Sequence, residues 1–356
     1  MNKVRASAPQ LEGLVPYDPK YLPARVVLSA NENPLDVPAD VRALIEREIG
    51  KISFNRYPDP LANELRDMIA EANGLERDCV LVGNGGDELL FDMALAWGGP
   101  GRVFLNLPPT FSVYAANARL TGTTVVDIPR REDFSIDEEA VIERLSRGDV
   151  DFAIIASPNN PTGLKAPAGF LERVLDASDA LVMVDEAYFE FSRVTVRPLL
   201  AQHRNLVILR TFSKAFSLAG VRLGYVLAHP EVIREFIKVR QPYSVDAVSQ
   251  AIARVVFANR HAFEPGIKAL ISERERMYEA LRALPGVRVY PSESNWILLR
   301  LDEAASAWDY LYEGGVLVRD FSRSPLLEGC LRVTMGTREE NDLFLNVLRK
   351  FVMCKR

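Results

Sequence analysis

The chain has 356 residues, 48% of them apolar and 26% charged, and carries a formal net charge of −5. That length exceeds one typical core and predicts two domains, or one large α/β unit with an appendage, while the composition is that of an ordinary globular protein and not of a disordered or membrane-embedded chain. The acidic balance and the lack of a long basic run argue against nucleic acid as a partner.

The N-terminus has no apolar core of signal-peptide length, and the longest apolar runs fall far short of the roughly 20 residues that span a membrane. A cytoplasmic protein with no membrane partner is therefore expected. Pro9, Pro16, Pro19, Pro23, Pro34 and Pro38 rule out sustained helix in the N-terminal arm, which is expected to wrap across a surface. Leu65, Met68, Ile69 and Ala72 then recur at helical spacing and stop at Gly74, a suitable residue just past a helix end.

From about residue 60 to 230, amphipathic segments alternate with the short runs CVLVG, RVFLN, TTVVDI, DFAIIAS, ALVMVD, NLVILR and YVLA. This is the pattern of β-α units that build a mostly parallel sheet covered by helices. After residue 262 the alternation stops. A long helix carrying Ile267, Leu270, Ile271, Met277 and Leu281 is followed by VRVY, NWILLRL, a helix ending at Gly314, two strands and a last helix through Phe351. The expected fold class is α/β, with a large domain at 46–255, a smaller α+β domain at 256–356, and residues 1–45 as an arm that joins the small domain.

In open α/β sheets, ligands bind beyond the carboxyl ends of the strands. Four polar segments stand at such ends: Asn84 to Asp87, Ser157 to Gly163, Asp185 to Tyr188 and Thr211 to Lys214. Gly85 and Gly86, between a strand and a helix, suit the close approach of a phosphate to backbone amides, although a plain tight turn explains them equally well. Neither a dinucleotide fingerprint nor a P-loop fits, because Glu88 stands where glycine is needed and no G-K-[ST] follows.

Asp185 ends a buried strand, where a carboxylate can cap a loop or keep a pyridine nitrogen protonated, and Tyr188 just beyond it can donate to a ring hydroxyl. Asn159, Asn160 and Gly163 belong to a turn that also offers amide donors. Lys214, flanked by Phe212 and Phe216 and followed by Arg222, meets the requirements of an amine nucleophile if those rings exclude water and the arginine lowers its pKa. Thr211, Ser213 and Arg222 would then hold a phosphate. Cys79, Cys330 and Cys354 form no C-x-x-C pair and His203, His229 and His261 are far apart, so neither a disulfide framework nor a metal is expected.

Across nearly its whole length the chain resembles the fold-type I pyridoxal-phosphate aminotransferases, and among them the histidinol-phosphate aminotransferases. The resemblance rests on VPYDP, NENP, NRYPDP, NGGDE, PPTF, SPNNPTG, VDEAY, RTFSKAFSLAGVRLGY, VLVRD and CLRVTMGTREEN. It implies pyridoxal 5'-phosphate as cofactor, with Lys214 as the Schiff-base lysine and proton shuttle, Asp185 on the pyridine nitrogen, and Asn160 and Tyr188 on the ring oxygen. Gly85, Gly86, Asp87, Thr211, Ser213 and Arg222 would surround the phosphate. Phe111 would stack on the ring where relatives often carry tyrosine, without the hydroxyl.

The same resemblance implies that Tyr57 reaches the phosphate of a neighbouring subunit, and hence a homodimer with shared sites. Arg332 would hold the substrate carboxylate, and Tyr17, Asn33 and Arg319 would contribute to substrate binding. The implied reaction exchanges an amino group between L-histidinol phosphate and 2-oxoglutarate, giving glutamate. An aromatic amino acid aminotransferase on the same scaffold and a non-catalytic regulator built on it are the alternatives.

Overall fold

The computed structural model describes residues 5–16, 18, 20 and 22–354, so Tyr17 lies outside the described residues. The strands are β1 (Val26–Leu28), β2 (Val80–Gly83), β3 (Val103–Asn106), β4 (Thr124–Asp127), β5 (Phe152–Ala156), β6 (Leu181–Asp185), β7 (Leu206–Thr211), β8 (Gly224–Ala228), β9 (Arg288–Val289), β10 (Trp296–Arg300), β11 (Val316–Asp320) and β12 (Cys330–Thr334). The first four helices are α1 (Ala39–Ile49), α2 (Asn63–Asn73), α3 (Gly85–Trp97) and α4 (Val113–Leu120). Helix α2 ends as the sequence predicts, on Gly74 in the left-handed conformation at φ +60°.

One sheet has the order β2-β8-β7-β6-β5-β3-β4. Strands β3 to β7 pair in parallel, whereas β8 is antiparallel to both of its neighbours. The reason is the connection. Residues 212–223 join β7 to β8 with only a short turn of 3-10 helix at Ala219–Val221, and a link without a helical crossover returns antiparallel. That return loop carries Lys214.

Every residue of β5, β6 and β7 is buried, as expected when helices cover both faces of a parallel sheet. Phe104, Phe152, Ile154, Met183, Val207 and Leu209 pack with Leu89 and Met93 of α3 on one face. Leu105, Ala153, Ile155, Val182, Val184, Leu206 and Ile208 enter the larger core on the other. Each fully buried aliphatic side chain stabilises the fold by about 1.5–3 kcal/mol. The polar residues at the strand ends are therefore anchored by a rigid base.

The second sheet has the order β1-β11-β12-β10-β9. Its edge strand β1, parallel to β11, comes from the arm, which thus contributes a strand that periodicity did not predict. Helices Glu264–Arg282, Ala304–Glu313 and Arg338–Met353 stand where periodicity predicts them. The last begins in a capping box between Thr337 and Glu340, so part of the GTREEN segment serves helix initiation. No helix among the described residues is long and apolar enough to cross a membrane.

Candidate active site

The carboxyl ends of β2, β5, β6 and β7 open on a cavity of about 230 Å³. Gly86, Asp87, Asn160, Asp185, Tyr188, Thr211, Ser213, Lys214 and Arg222 line it, so each of the four strand-end segments contributes. Phe111 lies on its wall, with Ala30 and Asn31 from the arm and Arg332 from β12.

Asp185 is held at the end of β6, where its Oδ1 accepts the Ala187 N–H at 2.9 Å and its Oδ2 accepts the Tyr114 hydroxyl at 2.6 Å. Burial pushes its carboxyl up to about 6 against the pull of these donors, and Asp87 and Glu186 add to the rise. A buried carboxylate with this excess basicity favours a cationic partner. Tyr114 was not singled out from the sequence. It lies on the helix that follows Phe111 and contacts that ring edge-on at 5.6 Å, so the three-residue spacing was the available signal.

Lys214 is half-buried, and its Nζ donates to Ala30 O at 3.0 Å. Burial lowers its ammonium to about 8, and the Arg332 guanidinium adds to that; Glu32 and Asp87 oppose it, and Arg222 contributes less than Arg332. From the sequence, Arg222 and the flanking rings are expected in these roles. Phe212 instead turns into the core against Tyr225 and Phe257, and Phe216 against Phe263. The aromatic face nearest the amine is that of Tyr188, with its centroid 5.9 Å from Nζ.

At the start of α3 the chain makes an anion cradle. Gly85 has φ +79°, and a Cβ there would stand 2.7 Å from Arg222 Nη2, so only glycine leaves the space open. Arg222 is held over this turn by Asp87, Nη2 to Oδ2 at 2.9 Å. The α3 amides near Gly86 and the Ser213 side chain complete a set of donors suited to a phosphate. The Thr211 hydroxyl donates to Leu223 O and accepts the Ser213 N–H, so it shapes the turn from the cavity wall.

The two adjacent asparagines separate in function. Asn159 is fully buried, and its side chain is tied to Thr110, Pro109 and Thr162. Asn160 faces the cavity, where its Oδ1 accepts Arg332 Nη1. Trp296 Nε1 donates to Pro161 O at 2.8 Å and fastens the second sheet to this turn.

The remaining expected site residues lie off the cavity wall. Arg319 faces Arg332 across β11 and β12, and its Nη1 donates to Asp18 O at 3.0 Å. Both guanidinium groups lie 5.8 Å from the Phe321 ring centroid. Asn33 donates to Ala215 O at 3.2 Å and so grips the residue after Lys214. Tyr57 is 81% exposed and stacks on Tyr243 at 4.6 Å. No cluster of residues able to hold a metal occurs among the described residues.

The model of the aminotransferase class I and II family matches residues 24–348. Among curated proteins, the chain is 40% identical to histidinol-phosphate aminotransferase 1 of Carboxydothermus hydrogenoformans, over 98% of this chain and 99% of that one. It is 41% identical to the histidinol-phosphate aminotransferase of Thermococcus kodakarensis, over 92% of this chain and 93% of the other. The solved structure of histidinol-phosphate aminotransferase from Sinorhizobium meliloti in complex with pyridoxal-5'-phosphate shares its fold, with a TM-score of 0.88, 22% identity and 99% coverage of both chains. The family match begins before β1 and runs into the final helix, spanning both sheets and all the residues that line the cavity; the chain belongs to the aminotransferase class I and II family.

Proposed function

We propose that the chain is a pyridoxal-phosphate-dependent aminotransferase that exchanges the amino group between L-histidinol phosphate and 2-oxoglutarate, giving imidazole-acetol phosphate and glutamate, a step of histidine synthesis. The observation that carries this reading is the meeting, in one cavity, of an amine lowered to about 8 and a buried carboxyl raised to about 6. The names of the curated relatives at 40% and 41% identity support the choice of substrate.

The residues present fit the cofactor. The glycine cradle admits its phosphate, and Asp185 offers a carboxylate whose basicity calls for a cation such as a protonated ring nitrogen. When bound, the cofactor supplies a ring that takes up the electron pair left by a broken C–H bond. Lys214 would hold the cofactor at its aldehyde carbon and would serve as the base that takes the proton from the substrate Cα and delivers it to the cofactor carbon. With its ammonium lowered to about 8, part of the amine is unprotonated near neutral pH; an ordinary lysine would be almost wholly charged.

Asp185 would keep the ring nitrogen charged, Asn160 and Tyr188 would serve the ring oxygen, and Phe111 would stack on the ring. Gly85, Gly86, Asp87, Thr211, Ser213 and Arg222 would hold the phosphate. Arg332, a planar bidentate donor, suits the carboxylate of glutamate as well as a phosphate ester, and both half-reactions need it. Arg319 and Asn33 would support the substrate from behind that wall, and Tyr17, outside the described residues, is proposed to contribute to substrate binding.

The reading extends to a homodimer with shared sites, because Tyr57 points into solvent and is available to a partner's phosphate. It also includes a cytoplasmic location, and a large domain at 46–255 with a small one at 256–356 completed by the arm. The position of β1 beside β11 supports that last division.

A paired-donor assay tests the substrate. With 2-oxoglutarate as acceptor, kcat/KM for histidinol phosphate is expected to exceed that for phenylalanine by at least about tenfold, or 1.4 kcal/mol in transition-state binding. A preference for phenylalanine would make the chain an aromatic aminotransferase. Cofactor binding without glutamate formation from any donor would leave the non-catalytic regulator.

A further inference from the structure

Three consecutive residues after β1 each contact a side chain that lines the cavity. Ser29 O accepts Arg332 Nη2 at 2.6 Å, Ala30 O accepts Lys214 Nζ at 3.0 Å, and Asn31 Nδ2 donates to the Tyr188 hydroxyl oxygen at 3.1 Å. Asn31 is 1% exposed and sits at φ +56°, a conformation that asparagine tolerates better than most residues. All four of its polar groups are engaged. Its N–H donates to Thr334 Oγ1 at 3.0 Å, its Oδ1 accepts the Thr334 hydroxyl at 3.2 Å, and its carbonyl accepts Asn295 Nδ2 at 3.0 Å.

These bonds are all satisfied with the NH₂ end of the Asn31 amide facing Tyr188. A backbone N–H can only donate, so Thr334 Oγ1 accepts from Asn31 N and has its own proton left to give. That proton goes to Asn31 Oδ1, which leaves the NH₂ end toward Tyr188. The phenolic oxygen is thereby an acceptor on the arm side, and its single proton must be directed elsewhere.

We infer that Asn31 is a positioning residue that turns the Tyr188 hydroxyl proton into the cavity, toward the ring oxygen of a bound cofactor. The inference rests on the pyridoxal-phosphate reading above. A hydrogen bond donated to an anionic oxygen favours its charged form, so the pH at which the bound chromophore loses its proton reports the direction of this hydroxyl.

The test is a visible-absorbance pH titration of cofactor-loaded protein, with thermal melting of each cofactor-free variant to confirm folding. Tyr188→Phe is expected to raise the midpoint by about one pH unit, the scale of a hydrogen bond to a charged group. Asn31→Asp keeps the size, the backbone tolerance and the Thr334 bond but offers no N–H, so the phenol donates to it instead; the midpoint should rise at least as far. Asn31→Gly, which also tolerates the positive φ, should raise it by less and add nothing in a Tyr188→Phe background.

An unchanged midpoint in Asn31→Asp, or an Asn31→Gly shift that persists without the Tyr188 hydroxyl, overturns the inference. Should Asn31→Asp fail to fold, Thr334→Val, which removes the hydroxyl that orients the amide, is expected to raise the midpoint, and no rise overturns the inference equally. A wild-type protein that shows no visible band with pyridoxal phosphate overturns the cofactor reading itself and this inference with it. A wild-type band with unmoved variants overturns only the role of Asn31.

Discussion

The floor and the side wall of the cavity are built in opposite ways. The floor, with Gly86, Asn160, Asp185 and Lys214, comes from successive strand ends of one sheet whose central strands are wholly buried. The wall joins residues far apart in sequence: Ser29 and Asn31 bind Arg332 and Thr334 across 303 positions. A local rule, that polar residues follow buried strands, suffices to locate the floor. The wall exists only once β1 has paired with β11 and β11 with β12. Generic proton and electron chemistry is assigned to the floor, and substrate choice to the wall.

The largest expected effect tests the floor. Lys214→Ala should reduce turnover by about 10⁴-fold or more, the upper range for a lost acid–base group, and should abolish the visible band while the melting curve stays cooperative. Asp185→Asn should lower kcat by about 10²- to 10³-fold, as for a preorganised electrostatic partner, and should release cofactor on dialysis. Near-normal turnover in either variant would remove the floor from the chemistry.

Arg332→Lys probes the wall. It keeps a cation beside Lys214 but loses the planar fork, so KM for both substrates should rise by roughly tenfold to a hundredfold, the scale of a lost bidentate partner. The visible band should survive with little change. If this variant bleached the protein as Lys214→Ala does, the separation of floor from wall would fail.

The same division explains what could be read without a structure. The strand ends, the stop at Gly74 and the helices after residue 262 follow from periodicity and glycine chemistry. Strand β1 was not legible, because Val26–Leu28 is short and its partner is near the other end of the chain. The charge neighbour of Lys214 was assigned to Arg222, which is near in sequence, whereas Arg332 acts on it more strongly through a long-range contact. Phe212 and Phe216 flank the lysine in sequence but face the core, since adjacency along the chain does not set the direction of a side chain. Tyr114 and Asn31 act through hydrogen bonds to other site residues, and a single sequence carries no mark of such pairs.

The smallest expected effect sharpens the comparison in the cofactor-free protein. The Asp185 carboxyl lies at about 6 in the fold, above its ordinary value of 3.8. Between about pH 4 and pH 6 the folded chain therefore retains a proton that the unfolded chain has released, and stability falls as pH rises through that window. Above it the deficit is complete, at most about 3 kcal/mol at 1.4 kcal/mol per unit. Asp185→Asn cannot ionise, so the cofactor-free variant should melt above wild type at pH 7.5 and converge with it near pH 4. Adding pyridoxal phosphate should narrow that gap by stabilising wild type more than the variant, because only the carboxylate gains a cationic partner. A variant that melts lower than wild type at every pH would mean that Asp185 is a structural anchor, and the strain at the floor would then have no connection with cofactor binding.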